Sequence, residues 1–450
     1  MREPFANPLQ LPESPPGGPG AGLLSGLWKG LASVAGLAWG PAAVLAGREG
    51  AERDERLGRV PALSGYGSSS RHGPRVWIHA SSVGEAGVAH AVARALWDMA
   101  PATEVFVSAT TSTGLARARE IFGDRAAGTA FAPLDAPFAV ARALSRVRPK
   151  VLAMVETEIW PNWLAEARRR GIPTVLVNGR LSGRSISRYL AVRPLFARAL
   201  SGMSAFSMIS TGDAARIARL GAPTGRIFVG GNAKYDDLAR PRPGDREGAR
   251  DLLGLSPGTP AWVAGSTRTG EEEAVLAVHR RLLEALPGAV LILAPRHLRR
   301  TDRVQALAGR AGLGVQRLSK IRAQGRDPGR PVILVDTMGE LFTLYGAADA
   351  AFVGASLAPK GGQNPLEPAC WGLPVLFGPH MNDFAEAKAV LTRHGGGETV
   401  AQAGELYARV RHFLENPREA RETGRRARRA VDSLAGAAEA HARVIANLLY

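Results

Sequence analysis

Residues Phe352–His380 read FVGASLAPKGGQNPLEPACWGLPVLFGPH. The apolar run Ala350–Val353, overlapping their head, predicts a buried strand. A loop with Gly354, Gly361 and Gly362 follows. Asn364 and Pro365 are residue types preferred at the N-cap and first turn of a helix. Trp371 and Gly372 end that helix, and Leu373–Phe377 predicts the next strand. A strand, a glycine loop and a helix start make an anion site, because free backbone N–H groups point outward and the helix dipole favours negative charge. Glu367, at the third helical position, can hold a ribose diol as acids do in dinucleotide folds. Asn364 and Glu367 would equally serve as a capping box, and the local motif leaves both readings open.

The same texture runs through most of the chain. Strands are expected at Val76–His79, Val105–Ser108, Val151–Val155, Thr174–Val177, Ser207–Ile209 and Ile227–Val229, then at Trp262–Ala264, Val290–Ala294 and Val332–Val335. Helical stretches separate them, which implies parallel sheets covered by helices on both faces. Polar clusters sit just after the strands, where open α/β sheets bind ligands. Pro241-Arg242-Pro243-Gly244-Asp245 reads as a linker, and from Ala401 the chain is mainly helical and rich in Ala and Arg. The expected fold is α/β, with two Rossmann-like domains over residues 49–240 and 246–450, the terminal helices belonging to the second. Two consecutive Rossmann-like domains with a terminal helix suggest the two-domain glycosyltransferase architecture called GT-B.

A length of 450 residues agrees with two domains. The single cysteine, Cys370, excludes an internal disulfide and a multi-cysteine zinc site. A net charge of +17 suggests anionic partners. Yet 51 of the 57 basic residues are Arg, a bias of composition that dilutes the functional meaning of the charge. Neither zinc-finger spacing nor a basic region running into heptads is present, so nucleic acid is not an expected partner.

Residues 1–20 hold six prolines and read as a disordered tail. Residues 21–48 read as a membrane-associating segment. Within Leu23–Ala46 the only charge is Lys29, and Leu24, Leu27, Trp28, Leu31 and Val34 share one helical stripe. The length would span a bilayer, although Gly26, Gly30, Gly36, Gly40 and Pro41 weaken a helix. A helix packed on the first domain is the other reading.

Taken together, the post-strand clusters resemble the bacterial 3-deoxy-D-manno-octulosonic acid (Kdo) transferases of lipopolysaccharide synthesis. The resemblance is carried by HASSVGE at His79–Glu85, ETEIWPN at Glu156–Asn162, LSGRS at Leu181–Ser185 and GNAKYD at Gly231–Asp236. It continues through GEEE at Gly270–Glu273, PRH at Pro295–His297, DTMGEL at Asp336–Leu341, GGQNPLE at Gly361–Glu367 and FGPH at Phe377–His380. Gln363 stands where the family often has His, and Gly179 where Ala is usual. The resemblance implies an inverting enzyme that moves Kdo from CMP-Kdo to a lipid A precursor (lipid IVA). It further implies action at the cytoplasmic side of the cell inner membrane, without a catalytic metal or other cofactor.

The residue types suit that chemistry. Glycosyl transfer needs a base at the acceptor hydroxyl and positive charge at the departing phosphate. Glu85, flanked by Val83, Gly84, Ala86 and Gly87, sits in a post-strand loop where partial desolvation raises a carboxylate pKa toward a useful value. The alternative is a solvated carboxylate at a helix start. Glu156 and Glu158 alternate at a strand end and should face opposite ways. The resemblance implies Glu85 as proton acceptor, with Glu156 and Lys234 stabilising the transition state, and leaves Glu158 to orient neighbours. It implies a CMP site made by Arg296, His297, Met338, Gly339, Glu340, Asn364, Pro365, Leu366 and Glu367. Glu271-Glu272-Glu273 reads as a solvated helix start in preference to a metal site. A GT-B transferase using a UDP-sugar, or a non-catalytic relative that binds nucleotide or lipid, would share much of this pattern.

Overall fold

The computed structural model describes residues 50–61, 63, 73–181, 186, 189–236, 241–242 and 244–450. The tail, the apolar segment 23–46, Ser182–Ser185 and part of the linker lie outside the described residues. Among those described, no helix is long and apolar enough to cross a membrane.

Fourteen described strands form two seven-stranded sheets, every pairing parallel. The first sheet holds β1 (Arg75–His79), β2 (Glu104–Ala109), β3 (Gly128–Phe131), β4 (Val151–Val155), β5 (Thr174–Gly179), β6 (Ala205–Met208) and β7 (Ile227–Val229). Their order is β3-β2-β1-β4-β5-β6-β7. The second holds β8 (Ala261–Thr267), β9 (Val290–Pro295), β10 (Val315–Arg317), β11 (Val332–Leu334), β12 (Ala350–Val353), β13 (Val375–Phe377) and β14 (Gly397–Thr399). Their order is β10-β11-β9-β8-β12-β13-β14. Alternation along each strand feeds two cores. Trp77 packs on one face with Phe106 and Trp163, while Val76 and Ile78 pack on the other beneath helix Val83–Met99. Trp262 and Val263 part in the same way. Strands buried on both faces are predominantly apolar, which is why they read as near-continuous runs.

The chain forms two compact units, residues up to Asp237 together with Leu434–Tyr450, and Leu238–Ser433. The last helix, Ala437–Ala446, thus differs from its expected assignment to the second domain. Ala437, Ala438, Ala442, Val444 and Ile445 pack in the core that also holds Val76, Ile78 and helix Val83–Met99. Asp236 accepts the backbone N–H groups of Gly436 (2.6 Å) and Ala438, which caps the helix on the first unit.

The two sheets have their central switch points between β1 and β4 and between β8 and β12. Connections leave such neighbours toward opposite faces and open a crevice at the carboxyl ends of the strands. Four non-glycine residues with left-handed backbone lie in or just beyond strand carboxyl ends: Glu156 (φ 59°), Asn178 (φ 51°), Ser266 (φ 57°) and Ala355 (φ 58°). Such strain clusters where the surroundings over-determine a site.

Candidate active site

In the first unit the β1/β4 reversal brings two motif loops to one crevice. Ser82 caps helix Val83–Met99, and Glu85 occupies its third position. The Ser81 N–H donates to Glu85 Oε2 at 2.7 Å, and the Ser82 hydroxyl donates to Oε1 at 2.9 Å. Glu85 therefore does contribute to a capping arrangement. It is not the solvated carboxylate of the bland reading, because it is only partly exposed. Burial raises its pKa against the pull of the Ser81 and Ser82 hydrogen bonds, and the charges of Glu158 and Glu156 raise it further. A carboxylate made more basic in this way is suited to accept a proton.

Glu156 departs from the expected alternation. The backbone leaves the extended region at Glu156 itself, so Glu156 and Glu158 are not successive strand positions, and both charges act on Glu85. Glu156 forms an ion pair with Lys234 Nζ. Lys234 belongs to the short helix Ala233–Tyr235, whose Ala233 N–H donates to Asn178 Oδ1 at 2.9 Å. The preceding Gly231 carbonyl accepts from His441 Nε2 at 3.1 Å, and His441 Nδ1 meets the Ser207 hydroxyl at 2.7 Å. Burial pushes the His441 pKa down to about 4, so the ring is neutral, donating at Nε2 and accepting at Nδ1. His441 thus fastens the Lys234 loop from the far end of the chain. Sequence reading passed it over, because a histidine in an Ala-rich helix carries no sign of its distant partner.

In the second unit the motif residues gather at the carboxyl ends of β8, β9, β11 and β12. Arg268, after β8, lies with Nη1 3.3 Å from His297 Nε2. His297 has its pKa lowered, first by burial and then by Arg268, Arg299, Arg296 and Arg300, so it presents a neutral ring. Arg268 was not among the expected ligands. Its Nε is buried without an acceptor among the described residues, a free donor beside the Arg296-His297 pair. The available signal was a basic residue in a Gly- and Thr-rich loop following a buried strand. Met338 is 74% exposed. Gly339 has φ 79°, and Glu340 accepts from Arg322 at 2.7 Å.

The stretch at Gly361–Glu367 differs in detail from its reading. The N-cap position is Pro365, and the helix, Leu366–Cys370, has five residues. So short a helix has a weak dipole. Asn364 Oδ1 accepts the Leu366 N–H at 3.1 Å, and Asn364 Nδ2 donates to Glu367 at 3.3 Å. Pro365 and Leu366 are buried, so contact with a ligand would run through their backbone. Glu367 has its pKa raised by burial, against the hydrogen bond from Asn364 and the charge of Arg296.

The acidic run also differs. Glu271 and Glu272 are buried. Glu271 accepts the N–H groups of Arg268, Ala355, Ser356 and Leu357, which ties the loop after β8 to the loop after β12. Glu272 pairs with Arg300 at 3.1 Å. These carboxylates build the crevice. Among the described residues no group of three or more His, Cys, Asp or Glu could hold a metal ion.

Two parallel seven-stranded sheets, each with a loop-lined crevice at its switch point, define the GT-B fold. A solved structure of HepE from Anabaena in complex with UDP shares the fold, with a TM-score of 0.56 and 14% identity over 83% of this chain and 99% of that one. A family model described as 3-deoxy-D-manno-octulosonic-acid transferase (kdotransferase) matches residues 51–237. The 3-deoxy-D-manno-octulosonic acid transferase of Haemophilus influenzae is 35% identical over 363 residues, 79% of this chain and 83% of that protein. The enzyme of the same description from Bordetella pertussis is 36% identical over 69% of this chain and 73% of its own. The chain belongs to the Kdo transferase family.

Proposed function

We propose that the protein is an inverting glycosyltransferase that moves Kdo from CMP-Kdo to a hydroxyl of a phosphorylated lipid A precursor, working at the cytoplasmic face of the inner membrane. The observation that carries this reading is the half-buried Glu85, made more basic by its burial and by two neighbouring carboxylates. In the proposed step the acceptor oxygen bonds to the anomeric carbon of Kdo while the bond to the CMP phosphate breaks. The acceptor proton passes to Glu85. Lys234, aligned by Glu156, stabilises developing negative charge. Arg296 and Arg268 suit a phosphate, since a guanidinium offers several donors in a fixed fork. Neutral His297, Asn364 and Glu367 offer polar contacts to the rest of the nucleotide. A nucleoside monophosphate donor has no pyrophosphate for a cation to bridge, so no metal is assigned to the step.

The test is direct. The protein is incubated with CMP-Kdo and a lipid A precursor, with and without excess chelator, and the lipid is weighed by mass spectrometry. The expected product is heavier by one or more Kdo residues in both samples. A product formed only with a UDP-sugar would replace the donor assignment, loss of product in chelator would overturn the metal-free step, and no product with any donor would indicate a non-catalytic relative.

A further inference from the structure

The turn that holds Glu85 is itself held from a helix that precedes β1. Helix Gly50–Arg56 is fastened to β3 and the loop beyond it. Its buried Glu55 accepts the Phe131 N–H at 2.7 Å, and the Arg56 carbonyl accepts the Leu134 N–H at 2.9 Å. The Arg56 guanidinium lies over the Phe131 ring, 4.7 Å from its centroid. Its Nε donates to Glu52 at 2.8 Å, and its Nη2 donates to the Thr110 carbonyl at 2.9 Å. Stacked and paired in this way, the planar guanidinium is a fixed fork. Thr110 and Thr111 join β2 to helix Ser112–Phe122. Three hydrogen bonds tie this turn to Ser81. The Ser81 hydroxyl donates to Thr110 Oγ1 at 2.8 Å, and the Ser81 carbonyl accepts from the Thr111 hydroxyl at 3.0 Å and the Thr111 N–H at 3.1 Å. Gly114 permits the close approach, since a Cβ there would stand 3.1 Å from the Ser81 carbonyl oxygen. The Ser81 N–H then donates to Glu85 Oε2 at 2.7 Å.

We propose that Arg56 is a positioning residue for proton transfer: it holds the Thr110 carbonyl, the Thr110–Thr111 turn holds Ser81, and Ser81 aims the carboxylate of Glu85. This rests on the reading of Glu85 as the base. A catalytic group must be kept within about half an ångström of its productive place by neighbours that are themselves locked. Glu85 takes its two hydrogen bonds from Ser81 and Ser82. Ser82 caps the helix that carries Glu85, so its bond ties the base only to its own element. Ser81 ties the base to a different one, the turn after β2, and Arg56 anchors that turn to a third. The charged groups acting on Glu85 are Glu158 and Glu156, the latter paired with Lys234, so Arg56 works through the turn and not through its own field.

The experiment compares the pH dependence of kcat and the KM for CMP-Kdo in the wild type, Arg56→Met, Arg56→Lys, Thr110→Val and the double variant Arg56→Met/Thr110→Val. Expected for Arg56→Met is a kcat lower by roughly ten- to a hundredfold, from a misplaced base, with the KM for CMP-Kdo unchanged. The Ser81 N–H bond lowers the Glu85 pKa, so a loosened Ser81 should move the acid limb to higher pH. Thr110→Val changes no charge and should act in the same direction by a smaller factor. Arg56→Lys, which can still donate to the Thr110 carbonyl, should recover part of the rate. The double variant should lose less than the product of the two single losses, because both changes act on one chain of contacts. Folded Arg56→Met with the wild-type rate and acid limb, or with a loss seen only in the KM, would reduce Arg56 to surface packing and overturn the proposal. If Arg56→Met does not fold, an unmoved limb and rate in Thr110→Val overturn it instead. A wild type with no acid limb would sink the assignment of Glu85 as base, a failure distinguishable from the other.

Discussion

Replacing Asp135 by Asn should stabilise the protein at neutral pH. Asp135 lies in the loop after β3 and caps helix Pro161–Arg169 from outside, in place of a cap that Trp160 cannot supply. Its Oδ1 accepts the N–H groups of Asn162 at 3.0 Å and Trp163 at 3.2 Å, and its carbonyl accepts Asn162 Nδ2 at 2.7 Å. Despite these donors, burial pushes its pKa up from 3.8 to about 6. A carboxyl whose pKa is higher in the folded state than in the unfolded chain favours folding when protonated. Stability therefore falls as pH rises from about 4 through about 6. The full difference at pH 8 is about 3 kcal/mol, from roughly two pH units at 1.36 kcal/mol each. Asparagine keeps the accepting oxygen without the charge, much like the protonated acid. Urea unfolding of the wild type and Asp135→Asn, followed by tryptophan fluorescence, should show the variant ahead by about 3 kcal/mol at pH 8, about half that at pH 5, and level below pH 4. A variant less stable than the wild type at pH 8 would refute the reasoning, since it would mean that the attraction of the charge to the helix N-terminus outweighs its desolvation.

Lys234→Met should lower kcat by about two to three orders of magnitude, with little change in CMP affinity, because it removes a charge that acts in the transition state. A loss confined to CMP binding, measured by calorimetry, would move Lys234 out of the reaction centre. Attachment through residues 23–46 should survive a high-salt wash of membranes, whereas attachment through Arg-rich surface alone would be released; full release in salt contradicts the anchor.

Much of the architecture was legible because parallel strands buried on both faces are predominantly apolar. Val151–Val155, Ile227–Val229 and Ala350–Val353 were read to the residue. The strands missed were β3 (GTAF), β10 (VQR) and β14 (GET), all at sheet edges. An edge strand has one neighbour and partly exposed side chains, so neither a long apolar run nor strict alternation marks it. The post-strand rule found the motif loops, since chain reversals in strand order decide where crevices open. It could not give side-chain geometry. The left-handed turn at Glu156 cancels the alternation that separated Glu156 from Glu158. The burial of Glu271 and Glu272 depends on loops up to 86 residues away, and the role of His441 on a residue 234 positions distant. Such pairings are set by tertiary packing and leave no local trace.

The central claim is that Glu85 removes the acceptor proton. The measurement that tests it most directly is the pH–rate profile of Glu85→Gln beside the wild type, with CMP binding measured in parallel. The account predicts a wild-type acid limb above the ordinary carboxylate range, because burial and two neighbouring charges raise Glu85. It predicts that Glu85→Gln loses about two to four orders of magnitude in rate, lacks that limb and binds CMP normally. Near-normal turnover in Glu85→Gln, or a failure that comes mainly from lost CMP binding, would contradict it.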